Sequence, residues 1–415
     1  MKTFLPLLRN DWRLLLFGFV LMFCSSPGQT YFIALFGGQI RSDLGLSHGQ
    51  FGAVYSIATL ASAVVLLWSA SLLDRINLRV FVLVVISGLA FAAFAMSLVQ
   101  SVIALGLVIF LLRHLGQGLM STTSSTSLMR YLSANRAKGN SVANMGYSAA
   151  EAILPSIIIL ALLTLSWRQA WQVTSVVLVV LIIPLVFYLL RELPNWNARF
   201  DQGLHQDRIS SDQQGRAVGR KKHWTRQQVL RDPFFYLLVP ALVSQSLLYT
   251  GFMFHQIHLV EEKAWSLTTW ASLYALFSIT TIVMSLLIGA LADRVGAVRL
   301  APFASVPMAF GLLALSSSSS ALAATVFMFL MGCSTAAQGA LGAPFFVERY
   351  GNKYFASIKS LASFIMVFAT AISPVILGVF IDNGVSIDVL ARSSAIYAFS
   401  VTTVAYVAYR RLILR

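Results

Sequence analysis

Arg113 and Gln117 stand four residues apart within Phe110-Leu-Leu-Arg-His-Leu-Gly-Gln-Gly118, inside an apolar run over 102–128. Four residues is about one helical turn, so the two side chains share a face, and Ser121 and Ser124 roughly extend it. A guanidinium so placed can hold an anionic group. The run is long enough to cross a bilayer, which takes roughly 20 helical residues, and Arg113 then falls near mid-depth. There an arginine costs about 2.5 to 3.5 kcal/mol on insertion scales, so it calls for a polar interior and a partner. Glu151, the partner candidate, lies about as deep in the next apolar run. The two are expected to pair or to share a proton, with the carboxylate taking it up because its charged form is costly when desolvated. An anion on Arg113 would displace Glu151 and link substrate to proton movement. The alternatives are a permanent structural ion pair and, for Gln117 and the serines, a helix-to-helix contact assisted by small residues.

Further polar side chains interrupt other apolar runs. Ser25, Ser26, Gln29, Thr30 and Tyr31 surround Pro27-Gly28, a pattern for a local bend beside a cavity. Gln245, Tyr249, His255 and Gln256 follow, with Pro240 and Gly251 as bending points, and Gln338 is a weaker candidate. His255, His258 and Glu261 imitate metal-ligand spacing, but i, i+3, i+6 drifts off one face, so no metal or other cofactor is expected. No nucleophile constellation and no phosphate-cradling glycine loop appears, so neither an enzyme nor direct ATP drive is expected.

The elements that carry these residues are membrane helices. Hydrophobic residues make up 58% of the 415 and charged ones 11%, a composition that excludes a water-soluble globular domain. The net charge of +15 sits in short clusters between apolar runs, which argues against nucleic acid as a partner. Cys24 and Cys333 lie within apolar runs and form no disulfide framework. Lys2, Arg9 and Arg13 precede an apolar run without a small-x-small cleavage site, so that run is kept as a helix. The runs predict α1 over 12–36, α2 over 51–73, α3 over 78–99, α4 over 102–128, α5 over 141–165 and α6 over 170–190. After a polar stretch come α7 over 234–260, α8 over 270–291, α9 over 300–315, α10 over 321–347, α11 over 355–381 and α12 over 395–409. The expected organisation is an N-terminal six-helix bundle (1–190), a cytoplasmic linker (191–232) and a C-terminal six-helix bundle (233–415). Of the 30 Lys and Arg, 25 fall on the side holding both termini and 4 on the other, with Arg113 between; both termini are therefore expected in the cytoplasm.

The halves repeat at an offset of 219 residues: Asp74-Arg75 returns at Asp293-Arg294, Phe110-Leu111 at Phe329-Leu330, and Pro155 at Pro374. Internal repeats are a frequent construction in secondary transporters. Arg113 and Glu151 have no counterparts, since Gly332 and Thr370 stand at those places, so the charge chemistry is assigned to the first half. Gly289-Ala-Leu-Ala-Asp-Arg-Val-Gly-Ala-Val-Arg299 then resembles the loop signature G-x-L-A-D-R-x-G-x-x-R of the major facilitator superfamily of transporters. Ser69-Ala-Ser-Leu-Leu-Asp-Arg-Ile-Asn-Leu-Arg79 is a degenerate copy. Asp74 and Asp293 are suited to the positive end of a neighbouring helix, and Arg75, Arg79, Arg294 and Arg299 to bridging helix ends, with Gly289 and Gly296 at the signature's glycine positions. Anchoring of a tight cytoplasmic turn is the simpler role for the degenerate copy. Arg113 with Gln117 and Gly118 is also similar to that family's fourth-helix pattern.

The resemblance implies an all-α polytopic membrane protein, with twelve transmembrane helices in two pseudo-symmetric six-helix bundles. It further implies that helices 1, 4, 7 and 10 surround a central cavity. The expected function is secondary active transport of a small solute by alternating access: a proton- or ion-coupled symporter for a small organic anion, monomeric, in the inner membrane. Helix α5 lacks the G-P-x-x-G-G pattern of the family's drug antiporters, which makes efflux of amphipathic compounds the second reading. A non-transporting membrane sensor of the same fold is the third.

Overall fold

The computed structural model describes residues 11–132, 136–200, 224–351 and 355–412. Those residues form helices and no strand, and ten of the helices are long and apolar enough to cross a membrane. The shorter apolar stretch Trp12–Gly28 and the helix Ile387–Leu412 bring the total to twelve. Large apolar side chains stand outward along them, such as Leu67 at 73%, Leu286 at 72% and Ile103 at 79% exposure. A water-soluble protein would have to cover surfaces of this kind; acyl chains solvate them here.

Helix starts follow the local chemistry. Ser101, Ser266 and Ser320 each accept the backbone N–H three residues on, and Ser166 with Gln169 builds a reciprocal capping box. Helix α1 is broken as Pro27 and Gly28 imply: Trp12–Cys24 gives way to a short 3-10 turn at Ser26–Gly28, and Thr30–Leu35 and Gly37–Leu44 follow. Helix α4 runs as Val102–Leu112 and Ser121–Tyr131, with a π-helical stretch, Arg113–Met120, between them. Helix α5 (Arg136–Ala161) and α11 (Phe355–Asp382) each carry an interior proline, Pro155 and Pro374, at the 219-residue repeat.

Helix α6 extends to Phe200, ten residues beyond the expected end, as part of the span Trp167–Phe200. The extension is amphipathic: Leu193 and Trp196 are buried, Trp196 lies against Phe17 and Tyr131, and Glu192 and Arg199 pair with Arg13 and Asp11. Polar residues there cannot span a bilayer, but they can prolong a helix that has an apolar face to bury. Of the expected linker, residues 201–223 lie outside the described residues. Its end is ordered: Thr225 and Gln228 form a capping box, and Trp224 donates its backbone N–H to Tyr350 O at 2.9 Å.

Two compact units emerge. The first comprises 1–32, 61–150 and 161–220; the second comprises 33–60, 151–160 and 221–415. Within the first, small residues let backbones meet: a Cβ added at Gly146 would lie 2.2 Å from Phe19 O, and one at Gly28 2.2 Å from Leu112 O. Within the second, Phe234, Phe235, Phe345, Phe346 and Tyr350 form an aromatic-rich core with Val229 and Leu238.

Candidate functional site

In the first unit the break in α1 and the π-helical stretch of α4 meet at two glycines. A Cβ at Gly116 would lie 2.9 Å from Gly28 Cα, so only glycine permits this approach. Around it the helix-1 hydroxyls turn onto their own backbone, Ser25 Oγ onto Met22 O and Ser26 Oγ onto Phe23 O. Gln29 donates to Ser25 Oγ at 3.1 Å, and Tyr31 donates to Ser26 Oγ at 2.8 Å. Arg113, only 2% exposed, directs Nη1 to Gly28 O at 3.0 Å and to Thr30 Oγ1 at 3.4 Å. The carbonyl it uses is one that the helix break leaves outside the α-helical ladder. Gln117 is exposed while Arg113 is buried. A π-helical stretch, Arg113–Met120, carries both side chains.

In the second unit Glu151 is 3% exposed and accepts a hydrogen bond from the Tyr249 hydroxyl. Tyr249 stacks on Phe277 at 5.6 Å. One turn earlier on α7, Gln245 donates to Thr335 Oγ1 at 2.5 Å and Ser246 donates to Gln338 Oε1 at 2.9 Å. Gln338 in turn donates to Leu242 O at 2.7 Å. Helix α7, Pro233–Phe254, breaks at His255 and resumes as Gln256–Glu262. Gln256 is fully buried, its Oε1 accepting from Trp270 Nε1 at 3.0 Å and Tyr274 OH at 2.8 Å, so that oxygen is engaged inside the helix packing. His255 donates Nε2–H to Pro374 O at 2.8 Å. His258 faces Glu262 at 3.3 Å. Among the described residues no group of three or more His, Cys, Asp or Glu is placed to hold a metal ion.

The loop-motif residues divide similarly. Arg79 donates twice to Leu190 O, at 2.9 and 3.3 Å, tying the start of α3 to the end of α6. Arg75 is exposed, and the side chain of Asp74 lies outside the described residues. In the second copy Gly296 adopts φ +97, which favours glycine. The helix start after it is met by Glu348 of α10, which accepts from Ala297 N at 2.7 Å and Val298 N at 3.3 Å. Asp293 and Arg294 are exposed, Gly289 has open space about it, and Arg299 reaches Tyr409 OH at 3.4 Å. Glu348 was not legible in the motif because it comes from 51 residues away. Nor was Asp232, which caps α7 through Phe234 N, accepts from Tyr350 OH and pairs with Arg349 at 3.2 Å.

A further group sits at the end of the second unit that holds the α1–α2, α7–α8 and α11–α12 connections. Asp382 accepts from Ser47 Oγ at 2.6 Å, His48 N at 2.8 Å and Gly49 N at 2.7 Å, and so caps α2 from α11. Glu262 accepts from Ile387 N at 2.8 Å, and Lys263 pairs with Asp388 at 2.5 Å. Burial lowers the pKa of the Arg41 guanidinium, against the raising influence of the Glu261 and Asp382 carboxylates.

A family model described as the Major Facilitator Superfamily matches residues 18–374 and 249–413. Among solved structures, the chain is similar to a bacterial homolog of the human lysosomal transporter Spinster in an inward-facing, unoccupied conformation. The TM-score is 0.66 at 14% identity, covering 97% of this chain and 98% of that one. It is also similar to a mutant form of the nucleoside transporter NupG, with a TM-score of 0.69 at 13% identity over 95% of this chain and 100% of that one. At such identities the likeness is one of fold. No curated protein matches the sequence.

Proposed function

Because the chain belongs to the Major Facilitator Superfamily and is a membrane transporter rather than an enzyme, we propose that it moves a small organic anion together with a proton by alternating access. The observation that carries this reading is the burial of two ionisable side chains within membrane spans, Arg113 at 2% and Glu151 at 3% exposure. Groups of this kind are costly in a bilayer and mark substrate and proton pathways. Arg113 carries a guanidinium, whose planar donor geometry suits a carboxylate, and its Nη1 donates to Gly28 O. Glu151 has the Tyr249 hydroxyl as a donor in its charged form. Protonation removes a charge from a site poor in water, which is the elementary step proton coupling requires. Gln29, Tyr31, Gln117 and Gln338 supply further polar contacts for the substrate, while His255 and Gln256 serve at the α7 break. The bias of Lys and Arg favours cytoplasmic termini and linker, in an inner membrane, with 1–190 and 233–415 as the two moving bundles.

Uptake of radiolabelled small carboxylates into proteoliposomes, with the inside buffered at pH 7.5 and the outside stepped from 8 to 5, tests the reading. Wild-type uptake rises as the outside is acidified, and Glu151→Gln removes that dependence while leaving exchange of anion for anion. An unchanged pH dependence in Glu151→Gln refutes the coupling role, and carboxylate uptake unaffected by Arg113→Ala refutes the anion site.

A further inference from the structure

Three of the chain's six histidines converge from distant segments of the second unit: His48 at the start of α2, His255 at the break in α7, and His258 one turn beyond. The ring centroids of His48 and His258 are 4.5 Å apart, and those of His48 and His255 are 5.6 Å apart. Arg41 lines the same small cavity, with Gly37, Gly38 and Phe51. Its volume of about 10 Å³ is at the lower limit of the room that one water molecule needs.

The hydrogen bonds leave proton-accepting capacity here. Pro374 O can only accept, so the His255 bond assigns the proton to Nε2 and makes Nδ1 the basic nitrogen of the neutral ring. His48 Nδ1 is buried without a hydrogen-bond partner among the described residues. The opposing charges are shared with other partners, and the Asp382 carboxylate also acts on the His48 ring. Asp382 is occupied by Ser47 Oγ and by the His48 and Gly49 amides, Glu262 faces His258 and Ile387 N, and Glu261 and Asp382 both act on Arg41. Lys263 is turned to Asp388 and to the carbonyls of Leu315 and Ser318.

We propose that Arg41, His48 and His255, grouped around this cavity, form a proton-binding latch at this end of the unit, released when the two imidazoles are protonated. The surfaces that the latch joins have no slack. A Cβ at Gly52 would lie 2.6 Å from Pro374 O, and one at Gly378 2.6 Å from His48 O, so α2 and α11 touch backbone to backbone. Added positive charge on His48 or His255 meets Arg41 and its neighbouring imidazole around the same small cavity, where His255 is buried, His48 and Arg41 are half-buried, and repulsion is only partly screened. The parted arrangement hydrates those rings and therefore binds more protons than the joined one. Acidification on this side consequently shifts the equilibrium towards parting. The site is separate from Glu151, and its response needs no substrate.

The test uses the full chain in lipid nanodiscs without substrate. Cys24 and Cys333 are replaced by Ala, and spin labels are placed at Ser42→Cys and Asn383→Cys, both exposed positions. Pulsed electron resonance then measures the label separation from pH 8 to pH 5. The expected result is one short distance at pH 8 and a longer population at pH 5, the ratio of long to short rising by about tenfold or more. His48→Gln with His255→Gln keeps the short distance at pH 5, and Glu151→Gln leaves the response intact. A distance distribution in the otherwise unmutated labelled chain that does not change with pH overturns the proposal without recourse to any further variant. A response that survives the double histidine change, or that disappears in Glu151→Gln, also overturns it.

Discussion

Replacing Gly28 by alanine tests whether the α1–α4 crossing positions Arg113. The added Cβ would lie 2.2 Å from Leu112 O, 2.7 Å from Gln117 N and 2.8 Å from Gly116 Cα, whereas real Cβ atoms essentially never come within 3.0 Å. All three neighbours are backbone, so no side-chain rotation relieves the clash. The segments must part by most of an ångström, and overpacking of this kind costs about 1 to 3 kcal/mol. The same movement stretches the 3.0 Å bond from Arg113 Nη1 to Gly28 O, and a hydrogen bond to a charged group contributes about 1.5 to 3 kcal/mol. The two losses share one displacement and are not summed. We expect a lower thermal unfolding midpoint, followed by tryptophan fluorescence in detergent, and a KM for the transported carboxylate raised by about tenfold, the change that 1.4 kcal/mol gives. Gly342→Ala, where a new Cβ meets nothing within 4 Å, serves as the control. Equal midpoints and equal KM values for Gly28→Ala and the parent protein would refute the positioning argument.

Asp382→Ala removes the cap of α2 supplied by α11; a cap is worth about 1 kcal/mol, so the label pair at 42 and 383 should gain a longer population at pH 8. Glu348→Ala deprives the helix at Ala297 of its acceptor and should lower thermal stability by about 1 kcal/mol, with salt dependence weaker than in the parent because a charge near a helix start is lost. Arg113→Lys keeps the charge but not the planar fork, so initial-rate uptake should show KM raised more than kcat is lowered; a normal KM would argue against bidentate anion binding.

The membrane fold was legible because apolar runs of bilayer length are a period-independent signal that tertiary context rarely overrides. The break in α1 was legible for a local reason, Pro27-Gly28. The extension of α6 was not, since 191–200 is polar in composition and its apolar face, Leu193 and Trp196, becomes visible only against Phe17 and Tyr131. Arg113 and Glu151 announced themselves by the cost of charge in an apolar run, and both are buried. The histidine group could not be assembled from spacing. His255 and His258 drew attention as a near miss to a metal pattern, but His48 lies in an ordinary polar connection. Its neighbours and Asp382 are brought to it by contacts spanning hundreds of residues. Glu348 and Asp232 are illegible for the same reason: Glu348 meets a helix start 51 residues away, and Asp232 binds Tyr350 from 118 residues away.

In the π-helical stretch of α4 the hydrogen bonds run from i to i+5, so the helix carries a surplus residue between Val102–Leu112 and Ser121–Tyr131. One residue is worth about 100° of azimuth. The surplus therefore acts as a phase shifter: it sets the angle at which the Ser124 hydroxyl finds Gly18 O, 2.7 Å away, relative to the angle at which Arg113 finds Gly28 O. Deleting any single residue between Arg113 and Met120 would leave two sound helices and restore ordinary geometry. One of the two anchors would then be out of phase with its partner.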